Sequence, residues 1–171
     1  MAAVEAAAAL RFNEIGMTHI ASSPPTALDD LLERVVAGRA LVAVDTAGAI
    51  AGFAIYRMLD AQRLYLEEVD VSPACAGQRI GAALIEAVAA RGRAAGATQI
   101  VLSTFRQAPW NAPYYRRLGF ADLGGDALDP VLAGVRAMHV ERGLDETQRV
   151  FMSRALDRGV DGTPAVHAGG R

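Results

Sequence analysis

The chain has 171 residues, 52% of them hydrophobic, and a formal net charge of −2 at pH 7. This length suits a single domain with a substantial core and leaves little room for a second one. Basic and acidic residues are interspersed, without the basic field expected of a nucleic-acid-binding protein, so we expect no nucleic acid partner.

The sequence also excludes several other classes of protein. Its one cysteine, Cys75, cannot form a disulfide within the chain, and no histidine lies near it in the sequence to activate a thiolate. Stretches without charged residues, such as residues 15–28, are shorter than the ~18 apolar residues that a membrane-spanning helix needs. No basic segment follows Met1, so no signal peptide is recognised and we expect a cytoplasmic protein without a membrane partner.

The first forty residues predict two helices joined by a loop. Residues 1–12 are alanine-rich and predict a helix with one buried face. The residues of that face are Val4, Ala8, Leu10 and Phe12. Residues 16–26 contain two serines and two prolines and predict a loop, and Thr26 is a candidate N-cap for a second helix that Gly38 ends. We interpret this second helix as a packing element, with apolar positions Leu28, Leu31, Leu32, Val35 and Val36.

The middle of the chain predicts a hairpin followed by a parallel unit. Residues 40–44 and 51–58, separated by a turn, read as two antiparallel strands. A third strand, residues 64–71, leads through a loop of small residues into a helix that ends at Gly96. Residues 99–104 predict the next strand, so this strand–helix–strand unit is expected to be parallel.

The last third predicts two more helices and a final strand. Residues 110–118 read as a short helix followed by another strand, residues 127–142 as a longer helix, and residues 149–156 as the last strand. Beyond them, Gly, Pro and small polar residues predict a disordered tail. We therefore expect one domain over residues 1–156 and a tail over residues 157–171.

The loop between the third strand and its helix has the composition of a phosphate-binding site. A helix start has backbone N–H groups without intrahelical partners and the positive end of the macrodipole. Gly77 and Gly81 leave the approach to these groups open, and Arg79 can add a charge-assisted contact. The loop lacks Gly-Lys-Ser/Thr and a dinucleotide fingerprint, which argues against a nucleotide-binding enzyme.

Two sequence blocks resemble the GNAT superfamily of N-acetyltransferases. Residues 73–85, PACAGQRIGAALI, resemble the family's acyl-CoA motif Pro-x-x-Arg-Gly-x-Gly-Ile-Gly-x-Ala-Leu-Leu, with Ala76 and Arg79 as departures. A register shifted by two residues also satisfies the shorter motif, but it changes the spacing from the proline. The second block, NAPYYRRLGF, is similar to the family's Tyr-x-x-Leu-Gly-Phe signature, and its motif tyrosine is Tyr115.

The resemblance implies the GNAT fold, an α/β (α+β) fold with a mixed central sheet of six or seven strands flanked by helices. Family members usually begin with a strand, whereas this chain opens with the predicted helix over residues 1–12. Without that strand, the neighbouring strand would be an exposed sheet edge, which invites pairing with another chain and suggests a homodimer.

The resemblance also implies acetyl-CoA as the cosubstrate. Backbone N–H groups near Val69 and Val71 are the family's usual partners for the acyl carbonyl and the pantetheine arm, and Asn111 is a candidate either for capping its helix or for bonding CoA. The residues expected to bind the cosubstrate are Val69, Val71, Ala76, Gly77, Gln78, Arg79, Ile80, Gly81, Ala82, Asn111 and Tyr115.

Catalytic roles carry over from the family to three residues. Glu68 matches a glutamate that acts as a general base, and Tyr115 matches a tyrosine that protonates the leaving thiolate, with a reference phenol pKa near ~10. Neighbouring residues of a strand point to opposite faces, so we expect only one of Glu67 and Glu68 to face the cleft, with Glu67 as the alternative base. Arg106 and Trp110 are candidates for shaping the acceptor site.

The expected function is transfer of an acetyl group from acetyl-CoA to a primary amine of a small molecule or peptide, by direct attack in a ternary complex. The alternative is a non-catalytic acyl-CoA-binding sensor or assembly domain, which the departures at Ala76 and Arg79 favour. His19, His139 and His167 lack metal-ligand spacing, so no metal is expected. The sequence does not indicate which amine is the acceptor.

Overall fold

The computed structural model describes residues 1–124 and 128–157, which form six strands and six α-helices. The strands are β1 Ala40–Val44, β2 Ile50–Met58, β3 Arg63–Val71, β4 Gln99–Phe105, β5 Ala121–Asp122 and β6 Arg149–Ala155. The helices are α1 Ala2–Ala9, α2 Thr18–Ala21, α3 Leu28–Val36, α4 Ile80–Ala94, α5 Ala112–Arg117 and α6 Pro130–Glu141. Short 3-10 segments cover Leu10–Ile15, Pro73–Cys75 and Glu146–Gln148.

All six strands belong to one mixed sheet with the order β1-β2-β3-β4-β6-β5. β1, β2 and β3 form an antiparallel meander, β3 pairs with β4 in parallel through the crossover helix α4, and β6 pairs antiparallel with β4 and β5. The predicted fold class, hairpin and parallel unit are thereby confirmed. Among the described residues, β1 pairs only with β2 and so forms an edge of the sheet.

Helices cover both faces of the sheet. On one face, α4 packs Ile85, Val88 and Ala89, all fully buried, against β3 and β4. On the other face, α6 packs on Tyr65 of β3, while α1 and α3 contribute one buried residue each, Val4 and Leu31.

The N-terminal region differs from the sequence prediction in three respects. The segment predicted as a loop contains the helix α2, and Leu10, expected in the buried face, is 59% exposed. Thr26 does not cap α3, because the N-cap is Ala27 and has no capping side chain. Instead, the Thr26 N–H and hydroxyl donate to the Glu5 carboxylate at 2.9 and 3.0 Å, and this ties the loop to α1.

Helix α3 is less buried than its apolar spacing suggests. Only Leu31 is buried, in contact with the cluster around Val4 and Phe53. The other four apolar positions are exposed: Leu28, Leu32, Val35 and Val36. The spacing correctly predicts a helix with these apolar positions. Only Leu31, however, packs into the core, so the packing interpretation applies to Leu31 alone.

Helix α6 begins at Pro130, three residues later than predicted. Asp129 caps it, because its carboxylate accepts hydrogen bonds from the N–H groups of Val131 and Leu132 at 3.0 and 3.1 Å. Ala127 and the predicted tail from residue 158 onward lie outside the described residues. In the part of the chain that the structure describes, no helix is long and apolar enough to span a bilayer.

Candidate active site

The site lies where β3 and β4 separate. Their parallel pairing runs from Arg63 and Gln99 to Leu66 and Leu102, although β3 continues to Val71. Beyond this point, the edge of β3 that faces β4 has no strand partner among the described residues. Its backbone N–H and C=O groups therefore remain available to a ligand, as hydrogen-bonding groups of a strand must find partners elsewhere.

A cavity of about 720 Å³, here called the cleft, opens at this separation. Its size lies within the range of pockets that enclose small-molecule ligands and cofactors. The predicted site residues that line it are Glu67, Glu68, Val69, Val71, Ala76, Gly77, Arg79, Ile80, Gly81, Trp110, Asn111 and Tyr115. Cys75, for which the sequence offers no nearby histidine, also lines the cleft.

Three predicted site residues, Gln78, Ala82 and Arg106, do not line the cleft. Gln78 lies exposed on the loop, while Ala82 lies in the first turn of α4. Arg106 follows the end of β4, where its N–H donates to the Gln148 carbonyl at 2.9 Å and its side chain is exposed.

The loop before α4 leaves the helix start open. Arg79 is the N-cap residue and has φ 61°, a left-handed conformation that strains a non-glycine residue. Glycine is the usual residue there in the family motif that this loop resembles. Gly81 follows in the first turn, where an added Cβ would lie 3.1 Å from the Tyr114 hydroxyl. Arg79 and Gly81 both line the cleft, so the start of α4 borders this space.

A β-bulge places both glutamates on the cleft. In the β2–β3 ladder, Ile55 pairs with Glu68 and Tyr56 with Leu66, so Glu67 is the extra residue. Such an insertion breaks the period of two. Before it, Leu66 faces α4, and after it Val69 takes that face. The expectation that only one of Glu67 and Glu68 faces the cleft is therefore wrong.

Glu67 is held by two arginines. Its Oε1 accepts from Arg57 Nε at 2.6 Å, and its Oε2 lies 3.4 Å from Arg34 Nε. Its side chain is only 21% exposed, and both carboxylate oxygens are engaged by the two guanidinium groups. Its position favours a structural role.

Glu68 instead lies beside Asp70, the next cleft residue on the same face of β3. Burial raises the pKa of both carboxyls, and the negative charges of Asp70 and Glu5 raise the pKa of Glu68 further. The pair therefore takes up a proton at a higher pH than ordinary carboxyl groups do. We did not predict Asp70; its signal was the Glu-x-Asp spacing, which places two residues on one face of a strand.

Tyr115 lies across the cleft, on α5. Its ring packs edge-on against Tyr114 and Phe120, with centroids 5.6 and 5.5 Å away. Burial raises the pKa of its phenol, so the hydroxyl keeps its proton at neutral pH. Asn111 is the N-cap residue of α5, but its side chain makes no capping hydrogen bond, so of its two predicted roles only a cleft contact fits the structure.

Trp110 forms part of an aromatic wall at the mouth of the cleft. Its ring packs edge-on against Phe12, with centroids 5.6 Å apart, and Arg11 lies over it at 4.2 Å. Phe12 packs in turn on Phe105 at the end of β4. The 3-10 segment after α1 therefore covers one side of the cleft. Within residues 1–124 and 128–157, no group of three His, Cys, Asp or Glu residues is arranged to hold a metal.

Residues 9–120 match the family model described as the acetyltransferase (GNAT) family. The chain belongs to the GNAT family. The match spans the 3-10 segment, the cleft strands, the loop before α4 and the second motif block, and it confirms the resemblance carried by the two blocks.

Solved structures agree with this assignment. A crystal structure of nourseothricin acetyltransferase is 28% identical, with a TM-score of 0.54 over 69% of this chain and 65% of that one, so the chain spans less than two thirds of its length. A GNAT-family acetyltransferase from Staphylococcus aureus is 17% identical, with a TM-score of 0.61 over 90% of each chain. N-acetylglutamate synthase from Neisseria gonorrhoeae, solved with coenzyme A and N-acetyl-glutamate, is 16% identical, with a TM-score of 0.66 over 90% of this chain and 32% of that one. The last two comparisons show the fold.

Replacing Arg79 by glycine should separate the effect of this residue on protein stability from its effect on cosubstrate binding. Glycine adopts φ 61° without steric cost, so the free energy of unfolding should stay the same or rise by up to about 1 kcal/mol. Loss of the guanidinium should weaken acetyl-CoA binding about tenfold, the usual size of a charge-assisted hydrogen bond. Arg91→Gly, on the exposed face of α4, is the control; it should lower stability by about 1 kcal/mol and leave binding unchanged.

Urea unfolding and isothermal titration calorimetry measure these two quantities. Unchanged acetyl-CoA affinity in the Arg79 variant would show that its guanidinium does not contact the phosphates.

Proposed function

We propose that the protein is an acyl-CoA-dependent N-acyltransferase that moves an acetyl group from acetyl-CoA to a primary amine of a small molecule or peptide. The observation that carries this proposal is that one cleft contains the open helix start, the carboxyl pair Glu68–Asp70 and the phenol of Tyr115. A phosphate site, a proton acceptor and a proton donor are the three features that this reaction requires. Membership of the GNAT family supports the same chemistry.

The backbone of the cleft supports the proposed binding of acetyl-CoA. The N–H groups at the start of α4, together with Arg79, are the proposed contacts to the pyrophosphate. The unpaired edge of β3 offers hydrogen bonds to an extended pantetheine arm, as a neighbouring strand would. In this arrangement, the N–H groups near Val69 and Val71 are the proposed donors to the thioester carbonyl, where they would stabilise the negative charge that develops during attack.

The proposed reaction is a direct transfer without an acylated protein side chain. The acceptor arrives as an ammonium group and loses a proton to the Glu68–Asp70 pair. Its nitrogen then attacks the thioester carbon, so that a C–N bond forms as the C–S bond breaks. Tyr115 donates its proton to the departing sulfur, which leaves as the thiol of CoA, and the nitrogen's remaining excess proton passes to the Tyr115 phenolate. The proton on the carboxyl pair then passes to solvent. The products are an amide and free CoA.

The alternative, a non-catalytic acyl-CoA-binding domain, has one observation in its favour. Ala76 stands where the family motif usually has a polar side chain, which removes a possible phosphate contact. A sensor, however, has no use for a buried carboxyl pair with raised pKa values beside a protonated phenol. The cleft therefore favours the enzyme.

Saturating acetyl-CoA should stabilise the protein and support thiol release. At 100 times the Kd, binding adds about 2.7 kcal/mol, which for a domain of this size raises the Tm by about 5–10 °C. Gly81→Asp should abolish this rise, because it places a side chain and a negative charge at the helix start. Gly134→Asp, on α6 where an added Cβ meets open space, is the matched control and should retain it.

Differential scanning fluorimetry measures the shift, and a thiol reagent detects free CoA after amines are added. A shift without thiol release from any amine would support the sensor. An unchanged Tm of the folded wild-type protein would contradict both the transferase and the sensor.

Substitutions in the carboxyl pair should identify which residue is the general base. Because burial raises both pKa values, kcat/KM should fall on the acidic side at a pH above the usual carboxyl range, since a fully protonated pair cannot accept the ammonium proton. Glu68→Gln should lower kcat/KM by about 10²–10⁴. Asp70→Asn makes the same chemical change two residues later in the strand. It should lower kcat/KM less than about tenfold, because Glu68 then ionises beside a neutral hydrogen-bond donor.

Steady-state kinetics between pH 5 and 9 give these profiles. A larger loss in the Asp70 variant than in the Glu68 variant would assign the base to Asp70 instead.

Tyr115→Phe should lower kcat while leaving acetyl-CoA affinity nearly unchanged. The variant keeps the packed ring and removes only the donor of the proton to sulfur, a change that typically costs about 10²–10⁴ in rate. Tyr114→Phe, the neighbouring cleft tyrosine, is the control and should keep most of the activity. Turnover and calorimetric binding of CoA separate the two effects, and equal turnover of the Tyr115 variant and the wild type would remove Tyr115 from the acid role.

A further inference from the structure

A second cavity of about 530 Å³ opens beside the cleft. It lies on the sheet face that carries α3 and α6, and it shares three wall residues with the cleft: Glu67, Glu68 and Arg149. A molecule in the second cavity would therefore reach Glu68 without entering the part of the cleft that the loop before α4 lines. This is the position that a second substrate of the proposed reaction needs.

The walls of this second cavity are rich in arginine. All seventeen basic residues of the chain are arginines, and five of them line this one space, although the protein as a whole carries a net charge of −2. We call it the arginine pocket, defined by Arg34, Arg39, Arg57, Arg142 and Arg149. The carboxyl groups in the same walls are fewer: Asp30, Glu33, Glu67 and Glu68.

The ion pairs within the pocket leave positive charge unbalanced. Two guanidinium groups, those of Arg34 and Arg57, share the single carboxylate of Glu67, and Arg39 uses Glu33 at 2.7 Å. Among the described residues, Arg142 takes part in no ion pair, and it is exposed at the C-terminal end of α6. The pocket thus has a free guanidinium at its solvent-exposed rim.

Arg149 is a fixed cation at the junction of the two cavities. Its Nη2 donates to the Ser103 carbonyl at 2.8 Å and its Nε to the Ser103 hydroxyl at 3.2 Å, while the guanidinium packs over Phe105 at 4.9 Å. Its side chain is only 12% exposed. A guanidinium held in this way is already positioned before any ligand arrives.

A buried hydrogen-bond network contacts Arg149 in the wall of the arginine pocket. Glu146 lies 3.6 Å from Arg149 and 2.7 Å from His139 Nδ1, and the other ring nitrogen of His139 lies 3.1 Å from the Tyr65 hydroxyl. Glu146 forms an ion pair with Arg149, and burial lowers the pKa of His139, so the imidazole adds no charge at neutral pH. The network holds Arg149 in place, and the unbalanced positive charge of the pocket comes from Arg142 and from the two arginines that share Glu67.

We propose that the arginine pocket binds the acceptor, and that this acceptor is a primary amine that also carries a carboxylate or phosphate group. The anionic group is held by the arginines toward the rim at Arg142, and the amine points to Glu68 at the junction. Arg149 beside the amine favours its neutral form, which is the form that attacks the thioester. This inference rests on the proposed function, because it names the substrate class of that reaction.

Binding of matched amines tests the pocket separately from catalysis. The probes are β-alanine against β-alaninamide and O-phosphoethanolamine against ethanolamine, titrated by calorimetry into protein saturated with CoA, so that no transfer occurs. Each anionic member should bind about tenfold or more tightly than its neutral partner. The pair with the larger difference distinguishes carboxylate from phosphate recognition.

Two variants on α6 provide the matched comparison. Arg142→Gln should remove most of the preference for the anionic member, whereas Arg136→Gln, which removes the same charge from an exposed position outside both cavities, should preserve it. Both positions are exposed, so both variants should fold. Equal binding of the neutral members, no binding of any probe, or a preference that survives in Arg142→Gln would overturn the inference.

Turnover with acetyl-CoA then separates this inference from the proposed function. Thiol release with neutral amines at rates equal to the anionic ones would refute the arginine pocket and keep the transferase. Tight binding of an anionic amine without thiol release would keep the pocket and refute the transferase.

Discussion

The separation of β3 and β4 after Leu66 is the constraint on which the rest of the site depends. Two parallel strands that stayed paired to their ends would satisfy each other's backbone groups and close the sheet. Because the ladder stops early, the last five residues of β3 have no strand partner on one edge within residues 1–124 and 128–157, and a cleft opens beside it. The same strand feeds the loop into α4, so the helix start and the free edge face one space.

The β-bulge at Glu67 brings two neighbouring carboxyl groups of β3 to the cleft. A regular strand would send alternate carboxyl groups to opposite faces, whereas the bulge lets Glu67 and Glu68 share a face and divide two tasks. Glu67 gathers the arginines of α3 and β2, and Glu68 joins Asp70 in the cleft. One inserted residue thus connects the charge network of one cavity with the proton-accepting pair of the other.

Local patterns in the sequence were sufficient for much of the fold. Apolar runs separated by a turn predicted the β1–β2 hairpin, and the strand–loop–helix pattern predicted α4 and the loop before it. The bulge at Glu67 was not predictable from these rules, because an inserted residue leaves the composition of the strand unchanged. Apolar spacing grouped the residues of α3 but carried no information on what that helix would meet. The arginine pocket joins positions from 34 to 149, and only the folded sheet brings them together.

The wall shared by the cleft and the arginine pocket has a thermodynamic consequence. Glu68 and Arg149 belong to both cavities, so two ligands bound side by side would contact the same two groups. Any change that the first ligand makes in the position or charge of these groups alters the free energy with which the second one binds. Linkage requires this effect to be equal in both directions. If the cleft binds the donor and the arginine pocket binds the acceptor, their affinities are coupled through this wall, and the coupling free energy is the same whichever ligand binds first.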